Sequence, residues 1–178
     1  MDLRFLETFL YLPFGNNIII GNHIKEQLKF LKEIIPNEFK NREMYDLGCG
    51  DGKITILLQE IFKPTKVFGC DLKLSLVKRS RKKGIESIVL DLNKEVPKGE
   101  LAVIWGVLHH LENPKETLIR IKNNFKYIFL KEPIKNSLME LGLPFQKEEI
   151  ERLIKEIFKN RNKSYEYKNA YFCFIYIK

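Results

Sequence analysis

The chain has 178 residues, 44% hydrophobic and 30% charged, and its 31 Lys+Arg against 23 Asp+Glu leave a formal net charge of +8. That length and apolar content suit one domain with its own core and exclude a disordered tail, and no apolar run reaches the roughly 18 residues a membrane span needs. Acids at Asp2 and Glu7 stand where a signal peptide would be basic and then apolar, and Cys49, Cys70 and Cys173 are too few and too scattered for a disulfide framework or a zinc site, so a reduced, cytoplasmic protein without a metal is expected.

Leu3, Leu6 and Leu10 predict a short amphipathic helix over residues 1–12, stopped by Pro13. A second helix is predicted after Gly21-Asn22, with Ile24, Leu28, Leu31, Ile34 and Ile35 on one stripe and Pro36 at its end. Residues 1–43 therefore read as a helical cap or lid, and residues 44–178 as the core of the same single domain. From Met44 onward, short apolar strands alternate with helices, the rhythm of a parallel sheet covered on both faces.

The predicted strands are Met44 to Leu47, Val67 to Cys70, Ile85 to Leu90, Leu101 to Trp105 and Tyr127 to Leu130. Helices are predicted around Ile54 to Ile61, over Ser75 to Lys83, from Asn113-Pro114 onward and around Ile150 to Phe158. The connection from Asp91 to Glu100 is short and carries no helical stripe. Ser164 to Tyr167 and Ala170 to Ile177 are separated only by Lys168-Asn169, so they must pair antiparallel. The resulting fold class is α/β: a doubly wound, mostly parallel seven-stranded sheet with an antiparallel last strand, in a three-layer α/β/α sandwich.

The sharpest local signal is Asp46-Leu47-Gly48-Cys49-Gly50-Asp51-Gly52, with glycines at alternate positions between a strand and a helix. Such a loop turns tightly and lets a ligand approach bare backbone. It fails as a triphosphate loop, because Ile54 follows Gly52-Lys53 and Leu47 stands where the first glycine is needed. It is one residue short of the dinucleotide fingerprint, and Asp51 would repel a pyrophosphate, which leaves a nicotinamide- or flavin-dependent reductase as a weaker alternative.

The acid–apolar–Gly-x-Gly-x-Gly run resembles the first motif of the class I S-adenosylmethionine-dependent methyltransferases, and the likeness spans roughly residues 44–178. By that resemblance, Asp46 with Gly48, Cys49 and Gly50 would surround the methionine portion of S-adenosylmethionine, its carboxylate facing backbone N–H groups. Asp71 would accept the ribose hydroxyls and Leu72 pack on adenine, while Asp91 would receive the adenine amino group with Leu92 on the ring. Trp105 and the run Leu108-His109-His110-Leu111 would close the site beside the acceptor, leaving S-adenosylhomocysteine as product. His109 or His110 would be the catalytic acid–base candidates.

Independently of that resemblance, Asp46, Asp71, Asp91 and Trp105 all fall at predicted carboxyl ends of parallel strands, where open sheets bind ligands. Three carboxylates gathered on one edge suit a ligand that offers hydroxyls, an amine or a cation. The chain lacks the Asn/Asp-Pro-Pro-aromatic run of adenine-N6 and glutamine methyltransferases and a cysteine nucleophile at the fourth strand's end. A small-molecule acceptor is the expectation. RNA or protein is the alternative on account of the charge and the basic run Lys73, Lys78, Arg79, Arg81, Lys82 and Lys83. From another class, a non-catalytic cofactor-binding protein stays open.

Overall fold

The computed structural model describes residues 17–134, 144–159 and 161–177, with side chains from residue 21. The helix predicted over residues 1–12, and with it the start of the predicted 1–43 cap, lies outside the described residues. The described chain runs α1 (Asn17–Ile34), β1 (Glu43–Leu47), α2 (Lys53–Phe62), β2 (Lys66–Asp71), α3 (Leu74–Lys82), β3 (Glu86–Val89) and β4 (Gly99–Trp105). It continues through α4 (Pro114–Asn124), β5 (Phe125–Pro133), α5 (Lys147–Phe158), β6 (Asn162–Tyr167) and β7 (Ala170–Tyr176).

The seven strands form one sheet in the order β3-β2-β1-β4-β5-β7-β6. Strands β1 to β5 are mutually parallel, and β7 is antiparallel to both its neighbours. The order reverses between β1 and β4, since the chain first winds outward through β2 and β3 and then returns to the other side of β1. At such a reversal the two connections leave in opposite directions and open a crevice at the strands' carboxyl ends.

Both faces are covered, as the sandwich expectation requires. On one face Leu28, Leu31, Phe39, Leu58 and Phe62 pack over Met44, Leu101, Val103, Phe129 and Phe172. On the other, Leu118, Ile121, Ile150 and Ile154 pack over Leu47, Ala102, Ile104, Ile128 and Leu130. Alternate residues of each strand thus enter opposite cores, so the central stretches 101–104 of β4 and 128–130 of β5 are apolar throughout.

Two elements depart from their predicted limits. Helix α1 begins at Asn17, so Gly21 and Asn22 lie inside it. A mid-helix glycine costs about 1 kcal/mol relative to alanine, and burial of Leu28, Leu31 and Ile35 against the sheet outweighs that. This helix is therefore part of the core as well as of the N-terminal segment. Strand β5 continues past Leu130 through Lys131 and Glu132, both buried at 2% and 0% exposure despite their charge. The connection from β3 to β4 has no helix, as expected, and Asn124 and Arg120 of α4 hold it by donating to the carbonyls of Val96, Pro97, Leu92 and Asn93.

Candidate active site

The glycine loop follows β1 and enters α2. Gly48, Gly50 and Gly52 all have positive φ, at 88°, 55° and 81°. At Gly48 an added Cβ would come within 2.5 Å of the Val107 side chain, so this glycine is required by the loop that follows β4. At Gly50 an added Cβ would meet nothing within 4 Å, so its bare backbone faces open space.

The loop's amide groups are already engaged. Gly48 and Cys49 N–H both donate to the Cys70 carbonyl, at 2.8 and 2.9 Å, and Gly50 N–H donates to Asp71 Oδ2 at 3.0 Å. The amides that the resemblance sets facing a carboxylate thus donate here to the end of β2. Cys49 turns its thiol inward, near Ser80 and Gly50 carbonyl, and burial pushes it up to about 12, so only its backbone borders the loop's outer side.

Asp51 serves the loop's own structure. Its side chain is buried, accepts the Lys53 N–H at 3.2 Å and lies 3.4 Å from Lys83 Nζ, which also donates to its carbonyl at 2.7 Å. Asp51 is thus an anchor between the loop and the end of α3. Arg81 likewise donates to the Ser87 carbonyl at 2.7 Å. Two members of the basic run are spent on holding the loop and β3 together.

Asp46 is the buried carboxyl of the rim, 3% exposed, accepting a hydrogen bond from Thr55 Oγ1 of α2 at 2.5 Å. Burial raises it to about 6; the Thr55 hydroxyl opposes that rise and the nearby Asp71 charge adds to it. No lysine or arginine among the described residues pairs with it. A buried carboxyl without a cation suits a ligand that brings one.

Asp71, at the end of β2, is half-buried and accepts one N–H on each oxygen, from Gly50 and from Lys73 at 2.9 Å. Each carboxylate oxygen has a second lone pair, so both remain able to accept hydroxyl hydrogens. Leu72 beside it is 61% exposed. The exposed apolar side chain and the carboxylate together offer a flat face and two acceptors in adjacent residues.

Beyond β3 the arrangement is more ordinary. Asp91 accepts from Asn93 N–H at 3.0 Å and from the Asn93 side chain, with Lys94 at 3.3 Å, and the Asn93 N–H holds its carboxyl below the usual range. This is a side-chain-closed turn. Leu92 turns into the core, 6% exposed, in the same cluster as Leu118 and Ile121. The turn directs Asp91 outward and its neighbour inward.

After β4, Trp105 packs on Phe129 and Phe172 with Lys131 Nζ 5.5 Å from its ring centre. Gly106 turns the chain with φ at 67° and a short helical turn, Leu108 to His110, follows. The two histidine rings lie 3.9 Å apart. His109 Nδ1 is 2.7 Å from Glu132 Oε2, while Glu132 Oε1 accepts the Val107 and Leu108 N–H groups at 2.8 and 2.9 Å. Glu132 was not foreseen; the signal for it was a Lys-Glu pair interrupting an apolar strand just before Pro133.

A nucleoside carrying an amine and a positive sulfur fits this set of acceptors. It would supply hydroxyls and cations to Asp46 and Asp71, meet an apolar face at Leu72 and lie along the open side of Gly50. The fold is Rossmann-like, with an acidic rim at the point where its strand order reverses.

The family comparison agrees. Residues 22–168 match the model described as "Methyltransferase domain", and the chain belongs to that family as an S-adenosylmethionine-dependent methyltransferase domain. No curated protein matches the sequence. Among solved structures, a methyltransferase from Thermotoga maritima described as a possible histamine N-methyltransferase is 12% identical with a TM-score of 0.74, covering 99% of this chain and 97% of that one. Magnesium protoporphyrin IX methyltransferase from Synechocystis, with S-adenosylhomocysteine bound, is 13% identical with a TM-score of 0.68, covering 95% and 91%. The methyltransferase in a Haloferax volcanii complex with the Trm112 activator is 11% identical with a TM-score of 0.65, covering 84% and 88%. Against three other methyltransferases the chain spans little more than half of the matched protein, 52%, 58% and 53% of their lengths. At these identities the likeness is one of fold.

Proposed function

We propose that this methyltransferase domain passes the methyl group to a small-molecule acceptor by direct displacement, in the crevice between the glycine loop and the turn after β4. The observation that carries the reading is the acidic rim: a buried Asp46, paired with no lysine or arginine among the described residues, beside a half-buried Asp71 whose oxygens keep accepting capacity, with exposed Leu72 adjoining. The bound cofactor supplies an electrophilic methyl group on a sulfonium. What this chain supplies is orientation.

In this reading Asp46 holds the amino end, Asp71 the ribose hydroxyls and Leu72 the adenine, with Asp91 at the far edge of the ring. Gly50 lets the cofactor lie against the backbone. Trp105 and the His109-His110 pair border the acceptor, and either ring could take a proton from it. Cys49 contributes through its main chain, and Leu92 supports the turn from beneath.

Two things favour a small acceptor over RNA. Lys83 and Arg81 of the basic run are engaged within the fold, and no aromatic platform accompanies the run. Structural neighbours include proteins named for carbon, mitomycin 7-O and magnesium protoporphyrin methylation. The test is transfer of labelled methyl from the cofactor to fractionated metabolite extracts and, separately, to total RNA. Label in the low-mass fraction supports the proposal, whereas label only in RNA would replace it.

A further inference from the structure

We infer that Glu132 is a positioning residue of the methyl-transfer site, fixing both the turn after β4 and the tautomer of His109; this rests on the reading above. Glu132 sits near the end of β5 with 0% exposure. A carboxylate so placed is costly unless donors saturate it. Its donors come from three successive residues: Val107 N–H at 2.8 Å and Leu108 N–H at 2.9 Å on Oε1, and the His109 ring at 2.7 Å on Oε2. One side chain of β5 therefore staples residues 107–109 as a unit.

Two consequences follow from chemistry. An ionised carboxylate only accepts, so the hydrogen of the His109 contact resides on Nδ1, and the neutral ring keeps a bare lone pair on Nε2. The same staple places Val107, whose side chain lies where a Cβ on Gly48 would be, 2.5 Å away. Glu132 thereby sets one wall of the cofactor loop across the crevice, although it borders neither the glycine loop nor Asp71 itself. A purely structural carboxylate would hold the two amides without regard to which ring nitrogen is protonated.

The discriminating variant is Glu132→Gln. Its amide oxygen can keep the two backbone N–H groups, but its NH2 then faces Nδ1, so the ring must present a lone pair there and carry its hydrogen on Nε2. Nitrogen-15 spectra of the imidazole rings, recorded on the full chain without cofactor in mildly alkaline buffer, read this directly. We expect Nδ1–H in the unmodified protein and Nε2–H in Glu132→Gln. In parallel, Glu132→Ala should weaken S-adenosylhomocysteine binding about tenfold by calorimetry, because the turn against Gly48 is released.

A ring protonated on Nε2 in the unmodified protein would overturn the inference, as would Glu132→Ala binding the nucleoside as tightly as the parent. Should Glu132→Ala not fold, the ring spectra of the parent and Glu132→Gln decide alone. The spectra need no ligand, so failure of the parent to bind S-adenosylhomocysteine would count against the proposed cofactor contacts and leave the tautomer result standing.

Discussion

The two sides of the crevice are built by different means. On the β1–β2 side, the loop Gly48 to Gly52 is closed by partners at the end of the next strand: Cys70 carbonyl and the Asp71 carboxylate hold three successive amides. On the β4–β5 side, a single buried carboxylate from the neighbouring strand, Glu132, holds three successive residues of the turn. Each loop is thus fixed by the strand beside it, but the acid that holds the first, Asp71, stays half-buried with accepting capacity on both oxygens, whereas the acid that holds the second, Glu132, is completely buried. In the proposed reading this difference gives the first side ligand capture and the second alignment.

The largest expected effect comes where the two sides touch. Gly48→Ala puts a methyl 2.5 Å from Val107 at a φ of 88°, and should cost about 3 kcal/mol of stability from overpacking and backbone strain, read by denaturant unfolding, with loss of cofactor binding. A variant as stable as the parent would mean that the loops do not press on each other.

Asp46 provides a pH test of the capture side. Its folded pKa of about 6 exceeds the ordinary 3.8, so the folded state binds the proton more tightly than the unfolded chain does. Its contribution to stability is full below about pH 4 and is lost as pH rises through 6, a penalty of up to about 3 kcal/mol at neutral pH. Asp46→Asn should remove that part of the pH dependence and stabilise the ligand-free protein above pH 6, while weakening binding of the cofactor's amino end. Unfolding curves with identical pH dependence in parent and variant would break the account of this carboxyl.

Asp71→Ala should weaken cofactor binding by about 1.5 to 3 kcal/mol, since a charged acceptor of hydroxyl hydrogens is lost; calorimetry checks it. Asp91 lies in a self-closed turn with Asn93 and Lys94, so Asp91→Ala should change affinity only about two- to threefold, the scale of an exposed contact. A larger loss at Asp91 than at Asp71 would invert the ranking of the two strand ends.

How much of this could be read in advance follows the same division. The loop after β1, the strand–helix alternation and the cap of α4, where the Asn113 side chain accepts Glu116 N–H with Pro114 at the first turn, are local patterns, carried by neighbouring residues. The acids at the ends of β1 and β2 were legible because each directly follows or closes an apolar strand. Glu132 was not, since its partners lie 23 to 25 residues earlier in the chain. Its charge, with that of Lys131, made β5 look shorter than it is. The burial of Leu92 was not legible for a related reason: the turn at Asn93, which decides which way each side chain points, is a matter of three-dimensional closure. Gly21 looked like a boundary because glycine is a poor helix former, whereas packing further along α1 decides where that helix begins.

The most direct test of the central claim is a calorimetric titration of the unmodified protein with S-adenosylmethionine near pH 7.5, repeated with Asp71→Ala. Binding by the parent and a roughly tenfold or greater loss in the variant are predicted. No detectable binding by the folded parent at millimolar ligand, or equal affinity in both proteins, would contradict it.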